Sequence, residues 1–369
     1  MNNSADEQIS NSALRTAILL DETSFTNYAE IIRHILTGLA DECTSTAIVC
    51  PQAMGEDLAF NSHITRMVHP AYKFPLLWRQ NQKILLSKLV EFKPDVLHCF
   101  SASQSMFANS IAKSLDIPYV VSVDSINDRP HVSASHCASI ISSCSSVDSF
   151  FKKKHPRFSQ KLELVNLATF VEDSCACFDS SSTLTGIIIV SPFDDIKRFE
   201  PVLSAIRHLA IDGYEFILFM IGSGKAEQKI RRLLKSLGLS NIVNIVPLIN
   251  PLREILKEGD IFIQPGTDER FNPYILEAMS VGMIVAGCQG GIDDLLLKNE
   301  TAVIFDPADE LSVYSTLQQI LDKREWARQI AVNAQLNLRK NYSVSKMVSS
   351  LIEIYGKARS WYQNTHKAD

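Results

Sequence analysis

Two glutamates eight positions apart lie in the segment of the sequence best suited to hold a polar ligand. Glu269 follows a short apolar run, and Glu277 comes after Pro273, a residue type favoured in the first turn of a helix. One carboxylate before a helix and another about one turn inside it can accept hydrogen bonds from different hydroxyls of one ligand. Backbone N–H groups from Phe271 to Tyr274 would bind an anion there, although Pro273 has none. The pattern predicts a site for a polyol that carries a phosphate; a solvated helix with an acidic N-terminus fits it equally well.

Short apolar runs alternate with helix-period segments, which predicts parallel sheets with helices on both faces. The pattern starts after a polar tail at 1–12, expected to be disordered, and weakens at 174–184. We expect two doubly wound domains at 13–173 and 185–341, a linker at 174–184, and a C-terminal helix at 342–369 that packs back towards the N-terminal domain. Ligands of such sheets bind at the carboxyl ends of the strands, so a central cleft is the expected site.

The same patterns place individual elements along the chain. The predicted strands are 16–20, 47–51, 95–100, 119–123, 187–190, 216–221, 243–246, 261–264 and 284–286. The predicted helices are 28–40, 79–92, 103–115, 200–211, 225–237, 251–257, 273–281 and 342–363.

The composition is that of a globular protein. The chain has 369 residues, 46% hydrophobic and 21% charged, which excludes a disordered chain and a collagen-like repeat. A formal charge of −5 supplies no overall attraction to nucleic acid. No uncharged apolar run is long enough to span a bilayer. The first residues are polar and acidic, so we do not expect a secretory signal. Eight cysteines without a CxxC pair predict reduced thiols and no metal site, so we expect a cytoplasmic protein.

The glutamate pair belongs to a longer ordered set of motifs. Glu269-x7-Glu277, with the Ala-Met-x-x-Gly run at 278–282 and the Gly-Gly pair at 290–291, resembles the C-terminal half of retaining GT-B glycosyltransferases. The likeness is to the large family 4, the glycosyl transferases group 1. Ile221-Gly-Ser-Gly resembles the family's glycine turn, and Lys93-Pro-Asp-Val-Leu-His resembles a strand of its first half. An ordered set of motifs is more specific than any single one.

The resemblance implies a GT-B fold, with an N-terminal acceptor domain and a C-terminal domain that binds a nucleotide-sugar donor. It implies that Glu277 binds ribose hydroxyls, that Glu269 contacts the transferred sugar, and that Lys197 neutralises the diphosphate leaving group. Asp124 is a further candidate catalytic residue, because it stands where the family often has a histidine; a turn-capping role is its alternative. The remaining donor-binding candidates are Arg270, Phe271, Asn272, Tyr274, Ile275, Gly222 and Gly224.

Several positions depart from the family pattern. Pro192 stands where the family has an arginine that grips the phosphates, and Arg198 or Arg270 is a candidate replacement. The run 21–26 has none of the glycines that the family carries after its first strand. These departures bear on turnover more than on donor binding.

We therefore expect a retaining, metal-independent hexosyltransferase that moves a sugar from a nucleotide-diphosphate sugar to a hydroxyl acceptor and needs no cofactor. In this family the leaving phosphate itself is described as taking the acceptor proton, so no protein nucleophile is required. The alternative is a catalytically impaired subunit that binds a glycan, a nucleotide-sugar or a partner enzyme. A nucleotide-binding protein of another kind is a third class.

The expected acceptor is a glycan, a lipid-linked molecule or another hydroxyl compound, and no nucleic acid is expected as a partner. A basic and apolar stretch at 73–88 is a candidate for peripheral contact with the inner face of a membrane. A helix that covers the domain core explains the same stretch.

Overall fold

The computed structural model describes residues 14–51, 63–69, 78–179, 184–249, 251–288, 290–292 and 294–366. The chain divides into two compact units. Unit 1 comprises Met1–Asn166 and Val344–Asp369, and unit 2 comprises Leu167–Ser343. Each unit is described by itself below.

The described residues 174–179 of the predicted linker belong to the compact unit 2. Cys175 and Cys177 lie in the hydrophobic core of unit 2. The backbone N–H of Cys177 donates to the Gly282 carbonyl at 2.9 Å, and a Cβ on Gly282 would lie 2.6 Å from the Cα of Cys175. The small residues that suggested a flexible connection therefore serve close packing, and the boundary between the units falls after Asn166.

Unit 1 contains a parallel sheet in the order β3-β2-β1-β4-β5-β6-β7 among its described residues. The strands are β1 Arg15–Leu19, β2 Ser45–Cys50, β3 Ile64–Val68, β4 Val96–Cys99, β5 Tyr119–Val123, β6 Cys137–Ser142 and β7 Leu162–Leu164. The helices are α1 Glu22–Asp41, α2 Trp78–Phe92, α3 Ser105–Leu115, α4 Ser145–Lys154 and α11 Val344–His366.

Helix α1 begins six residues earlier than predicted, because Asp21 caps it. The Asp21 carboxylate accepts from the Ser24 backbone N–H at 2.7 Å, and its other oxygen accepts from the Ser103 hydroxyl at 2.9 Å. Most of the run 21–26 is therefore helix rather than loop. The backbone leaves helical geometry at Tyr28, where α1 kinks.

The C-terminal helix α11 packs within unit 1. Gly38 of α1 faces Val348 of α11 so closely that a Cβ on the glycine would lie 2.4 Å from a valine methyl carbon. Buried Tyr355 of α11 brings its hydroxyl within 2.6 Å of Nδ1 of His98, which lies on β4.

Unit 2 contains a second parallel sheet, in the order β10-β9-β8-β11-β12-β13 among its described residues. The strands are β8 Thr185–Val190, β9 Phe216–Ile221, β10 Val243–Val246, β11 Ile261–Ile263, β12 Ile284–Cys288 and β13 Val303–Phe305. The helices are α5 Glu200–Ile211, α6 Glu227–Leu237, α7 Leu252–Leu256, α8 Pro273–Ser280, α9 Glu310–Asp322 and α10 Arg324–Asn341.

Both sheets confirm the predicted doubly wound architecture. Every predicted strand has a counterpart whose ends lie within two residues of the prediction, and every predicted helix has a counterpart as well. The strand order reverses between β1 and β4 in unit 1 and between β8 and β11 in unit 2, and ligands of such sheets bind at the carboxyl ends of strands beside this reversal.

In the described part of the chain, no helix is long and apolar enough to cross a membrane.

Buried His98 makes the stability of unit 1 sensitive to acid. Its Nε2 lies 2.7 Å from the Ser122 hydroxyl, and burial lowers its pKa from 6.5 to about 3. The folded protein therefore resists protonation of His98 over a range in which the unfolded chain takes up the proton.

We expect the free energy of unfolding to fall as the pH drops below 6.5, with His98 contributing up to about 1.4 kcal/mol per pH unit. His98→Gln removes this contribution, so the stability difference between wild type and variant should shrink from pH 6.5 to pH 5 in urea titrations. A difference that stays constant over this range would contradict the prediction.

Candidate functional site

Two loops of unit 2 flank the point at which its strand order reverses. The loop after β8 carries Lys197 in a short 3-10 helix, and the loop after β11 carries Glu269. Both side chains are exposed. The predicted cation and the first predicted glutamate therefore lie on the two loops that a ligand of this sheet would meet first.

Asp268 ties these two loops together. Its Oδ1 accepts from Nη2 of Arg198 at 2.8 Å, and its Oδ2 accepts from Nε2 of Gln264 at 2.9 Å and from Nδ2 of Asn272 at 2.8 Å. The Arg198 guanidinium also donates to the Gly266 carbonyl at 3.1 Å. One carboxylate thus joins the β8 loop, the end of β11 and the start of α8.

The glycine pair at 290–291 supports the same loop. The Ile292 N–H donates to the Asp268 carbonyl at 2.8 Å, and a Cβ on Gly291 would lie 2.3 Å from that carbonyl oxygen. Gly291 also has a φ of +80°, which favours glycine. The glycine pair therefore allows the backbone at 290–291 to approach the Asp268 carbonyl.

Arg198 has a structural role that the sequence did not predict. Its Nη2 donates to Asp268 and to the Gly266 carbonyl, so this arginine joins two loops, and its role as a replacement phosphate clamp stays a prediction. Lys197, beside it, is exposed and forms no ion pair with any acid of the described residues. Arg270 is exposed as well. Lys197 and Arg270 are the predicted cations that remain directed to the surface of this region.

The start of α8 offers fewer free N–H groups than the sequence suggested. Asn272 caps the helix, and its Oδ1 accepts from the Tyr274 backbone N–H at 3.0 Å. This N–H is therefore engaged by the cap, and its part in binding an anion stays a prediction. Phe271 and Ile275 are each 2% exposed, so their side chains anchor the segment in the core. Burial raises the pKa of Tyr274 to about 12 and keeps the phenol neutral.

The two glutamates have different surroundings. Glu269 is exposed in the loop, whereas the Glu277 side chain is 4% exposed and its Oε2 pairs with Nη1 of Arg253 at 3.0 Å. The spacing predicted both carboxylates correctly as neighbours of the α8 N-terminus. It did not predict that one of them would be buried beside a cation.

Arg253 contacts two separate segments of unit 2, residues 170–172 and helix α8. From α7 it donates to Glu172 at 3.0 Å, to Glu277 of α8 at 3.0 Å and to Ser280 of α8 at 3.0 Å. It also donates to the Phe170 carbonyl. Burial raises the pKa of Glu172, but hydrogen bonds from Arg253 and Lys257 outweigh it and leave that pKa lowered.

Gly222 and Gly224 bring the loop after β9 against the loop after β8. A Cβ on Gly222 would lie 2.1 Å from the Ser191 carbonyl oxygen, and one on Gly224 would lie 2.5 Å from the Phe193 carbonyl oxygen. Their φ values are +153° and +158°. The structure thus gives both predicted donor-binding glycines a packing role beside the loop that carries Lys197.

Asp124 belongs to unit 1 and follows β5. Its carboxylate accepts a hydrogen bond from the hydroxyl of Tyr28, at the kink of α1. Its backbone N–H donates to the Asp128 carboxylate at 2.9 Å, which closes a turn. The side chain is half-buried, and its described partners fit the turn-capping alternative as well as a site for a hydroxyl.

Within the ranges the structure describes, no three His, Cys, Asp or Glu side chains cluster so as to hold a metal ion. All eight cysteines are free thiols, and seven of them are buried.

Sequence reasoning missed Asp268, Gln264 and Arg253. Gln264 is 1% exposed and bridges the ends of β11 and β12, because its Oε1 accepts from the Cys288 N–H at 2.9 Å. A polar residue at the end of an apolar strand is a usable signal for Gln264. Arg253 has no such signal, since its partners lie 24 and 81 positions away.

The chain is similar to glycosyltransferases in sequence. Residues 180–337 match the family model described as glycosyl transferases group 1. The chain is 24% identical over 164 residues to an uncharacterized glycosyltransferase of Haemophilus influenzae, covering 44% of this chain and 46% of the relative. It is 23% identical over 329 residues to the sulfoquinovosyl transferase SQD2 of Arabidopsis thaliana, covering 80% of this chain and 62% of the relative. The chain thus spans less than two thirds of the length of each of these relatives.

A solved structure extends the likeness to both units. The Anabaena protein Alr3699/HepE, in complex with UDP-glucose, superimposes with a TM-score of 0.74 at 14% identity, covering 93% of this chain and 99% of that chain. The fold is the GT-B glycosyltransferase fold. At this identity the likeness establishes the GT-B architecture and leaves the site residues to be argued from the chain itself.

Because the loops after β8 and β9 meet through glycines, we expect Gly222→Ala to lower the free energy of unfolding by about 1–3 kcal/mol. The Ser191 carbonyl must move to admit the methyl group. Gly356→Ala is the matched control, since a Cβ added at this position of α11 would meet no neighbouring element within 4 Å, and it should be neutral or stabilising by up to about 1 kcal/mol. Equal effects of the two substitutions in scanning calorimetry would argue against the packing role.

Proposed function

We propose that this protein is a glycosyltransferase that moves a hexosyl group from a nucleotide-diphosphate sugar to a hydroxyl acceptor, with retention of anomeric configuration. The observation that carries the proposal is the placement of Lys197 and Glu269 on the two loops beside the strand-order reversal of unit 2. The match of residues 180–337 to the glycosyl transferases group 1 model covers both of these loops.

In the proposed donor complex, Lys197 neutralises the diphosphate and Arg270 adds a second cation. Glu269 accepts hydrogen bonds from hydroxyls of the transferred sugar, and Glu277 accepts them from the ribose. The hydrogen bonds of Asp268 to both loops support this assignment, because orientation and charge stabilisation contribute most to catalysis where the charged groups are held in place.

In the proposed reaction the acceptor oxygen forms a bond to the anomeric carbon on the face from which the nucleoside diphosphate departs. The bond from that carbon to the phosphate oxygen breaks, and the acceptor proton passes to the leaving phosphate. The step balances without a protein nucleophile or a metal. Lys197 lowers the barrier by offsetting the charge that develops on the leaving oxygen.

We expect Lys197→Ala to lower kcat about 100-fold, since removal of one group that stabilises developing charge costs about two to three orders of magnitude. Lys229→Ala is the matched control, because Lys229 is an exposed lysine of α6 in the same unit, and it should leave turnover unchanged. Transfer and donor hydrolysis would be measured with UDP-, GDP- and ADP-sugars.

The same panel separates the alternatives. Donor binding without turnover by the wild type would favour the impaired, glycosyltransferase-like binding subunit. Binding of free nucleotide with no gain from the sugar would favour a nucleotide-binding protein of another kind. Retention would be read from the anomeric configuration of the product by NMR.

We further propose that unit 1 makes peripheral contact with an anionic membrane through α2. Part of the basic stretch suggested for this contact, 73–77, lies outside the described residues. On α2 itself Lys83 and Lys88 are exposed, and the apolar Ile84 and Val90 beside them are 57% and 58% exposed. Exposed apolar side chains flanked by lysines suit the interface of an anionic bilayer.

Lys83→Gln combined with Lys88→Gln should weaken binding to vesicles that contain phosphatidylserine roughly 25-fold, since each cation near such a surface contributes about 1 kcal/mol. The affinity for the vesicles would be measured by cosedimentation at low ionic strength. Binding that is equally strong to purely zwitterionic vesicles, or unaffected by the double substitution, would exclude the proposed contact.

A further inference from the structure

Arg253 and Glu277 form an ion pair that the sequence did not predict. The Arg253 side chain is 12% exposed and the Glu277 side chain is 4% exposed, so both charges are removed from water. A buried carboxylate is costly unless a cation or hydrogen bonds compensate it. Arg253 supplies both to Glu277.

We infer that Arg253 is a positioning residue of the donor site, which holds the Glu277 carboxylate charged and oriented for the ribose hydroxyls of the nucleotide. This inference rests on the proposed donor binding. Arg253 acts through Glu277, and the nucleotide contact itself belongs to the carboxylate.

The geometry of the guanidinium supports a positioning role. Nη1 donates to Oε2 of Glu277 and to the Ser280 hydroxyl one turn further along α8, both at 3.0 Å. Two contacts on one face of a helix fix the direction from which the arginine meets the carboxylate. Because the guanidinium is planar and its donors have fixed directions, it also restricts how the carboxylate can turn.

Arg253 is itself held from the opposite side. Its Nε donates to Glu172 at 3.0 Å, and Nη2 donates to the Phe170 carbonyl. Both partners lie in the first residues of unit 2, immediately after the boundary at Leu167. Arg253 thereby links the Glu277 carboxylate, which is proposed to bind the ribose, to the segment at which the chain enters unit 2.

Lys257 provides a natural comparison. It follows α7, carries the same charge as Arg253 and also pairs with Glu172, at 3.2 Å, but its second ion pair is with Glu254 at 3.0 Å. Removal of either cation takes one positive charge from the same neighbourhood. Removal of Arg253, in contrast to removal of Lys257, takes away the cation that pairs with the ribose carboxylate.

The test compares UDP with 2′,3′-dideoxy-UDP, which lacks the ribose hydroxyls, in calorimetric titrations of the full-length protein. We expect wild type and Lys257→Met to bind UDP about 10-fold more tightly than the dideoxy nucleotide. Arg253→Met should bind the two nucleotides with nearly equal affinity, and Arg253→Lys should recover part of the difference. A thermal melt of each variant shows that it is folded.

The outcomes are distinct. An unchanged UDP preference in folded Arg253→Met, or equal losses in Arg253→Met and Lys257→Met, would overturn the inference and leave the proposed function intact. If wild type does not bind UDP, the same pairs are run with GDP and ADP and their dideoxy forms. Failure of wild type to bind any of the three nucleotides would overturn the proposed function, and the inference with it.

Discussion

The hydrogen bonds of one carboxylate organise the candidate site of unit 2. Asp268 accepts from Arg198 on one loop and from Gln264 and Asn272 on the other, so the segments before and after the strand-order reversal share one anchor. Charge-assisted hydrogen bonds to a half-buried carboxylate are stronger than those between neutral groups. A loop held this way can present an exposed glutamate in a fixed place, which an unsupported loop cannot do.

Two arginines of unit 2 already have carboxylate partners. Arg198 is committed to Asp268, and Arg253 is committed to the two carboxylates Glu172 and Glu277. The Tyr274 N–H at the start of α8 is committed to the Asn272 cap. Lys197 and Arg270 are the predicted cations that are exposed near these loops, and the proposed diphosphate site relies on them.

The sequence predicted the architecture well because its strands are buried on both faces. Runs such as 187–190 and 216–221 are nearly all apolar, and such runs between amphipathic helices fit few folds other than a doubly wound sheet. The pairing of Glu269 and Glu277 around a helix start followed from local rules for proline and helix termini. Each of these predictions needed only residues within about one turn or one strand.

The predictions that failed depended on distant partners. Segment 174–184 looks like a linker by composition, yet Cys175 and Cys177 enter a core whose other members lie far along the chain. The run 21–26 looks like a loop, yet it becomes helical once Asp21 caps it. The buried charge of Glu277 is compensated by Arg253, and no local pattern marks a partner on another helix.

The departures from the family pattern are connected by the structure of unit 2. With Pro192 in place of the family's arginine, the loop after β8 keeps one exposed cation, Lys197, while the neighbouring Arg198 turns towards Asp268. The glycines of the β9 loop let that loop contact Ser191 and Phe193 through the backbone alone. The β8 loop is thus fixed from both sides, by backbone packing on one and by an ion pair on the other. Preorganised charge needs no rearrangement when a bond breaks, so a lysine on a loop that is held from both sides is suited to stabilise a leaving group. In the proposed reaction Lys197 would therefore act without the family's arginine, from a loop that the Asp268 carboxylate helps to hold.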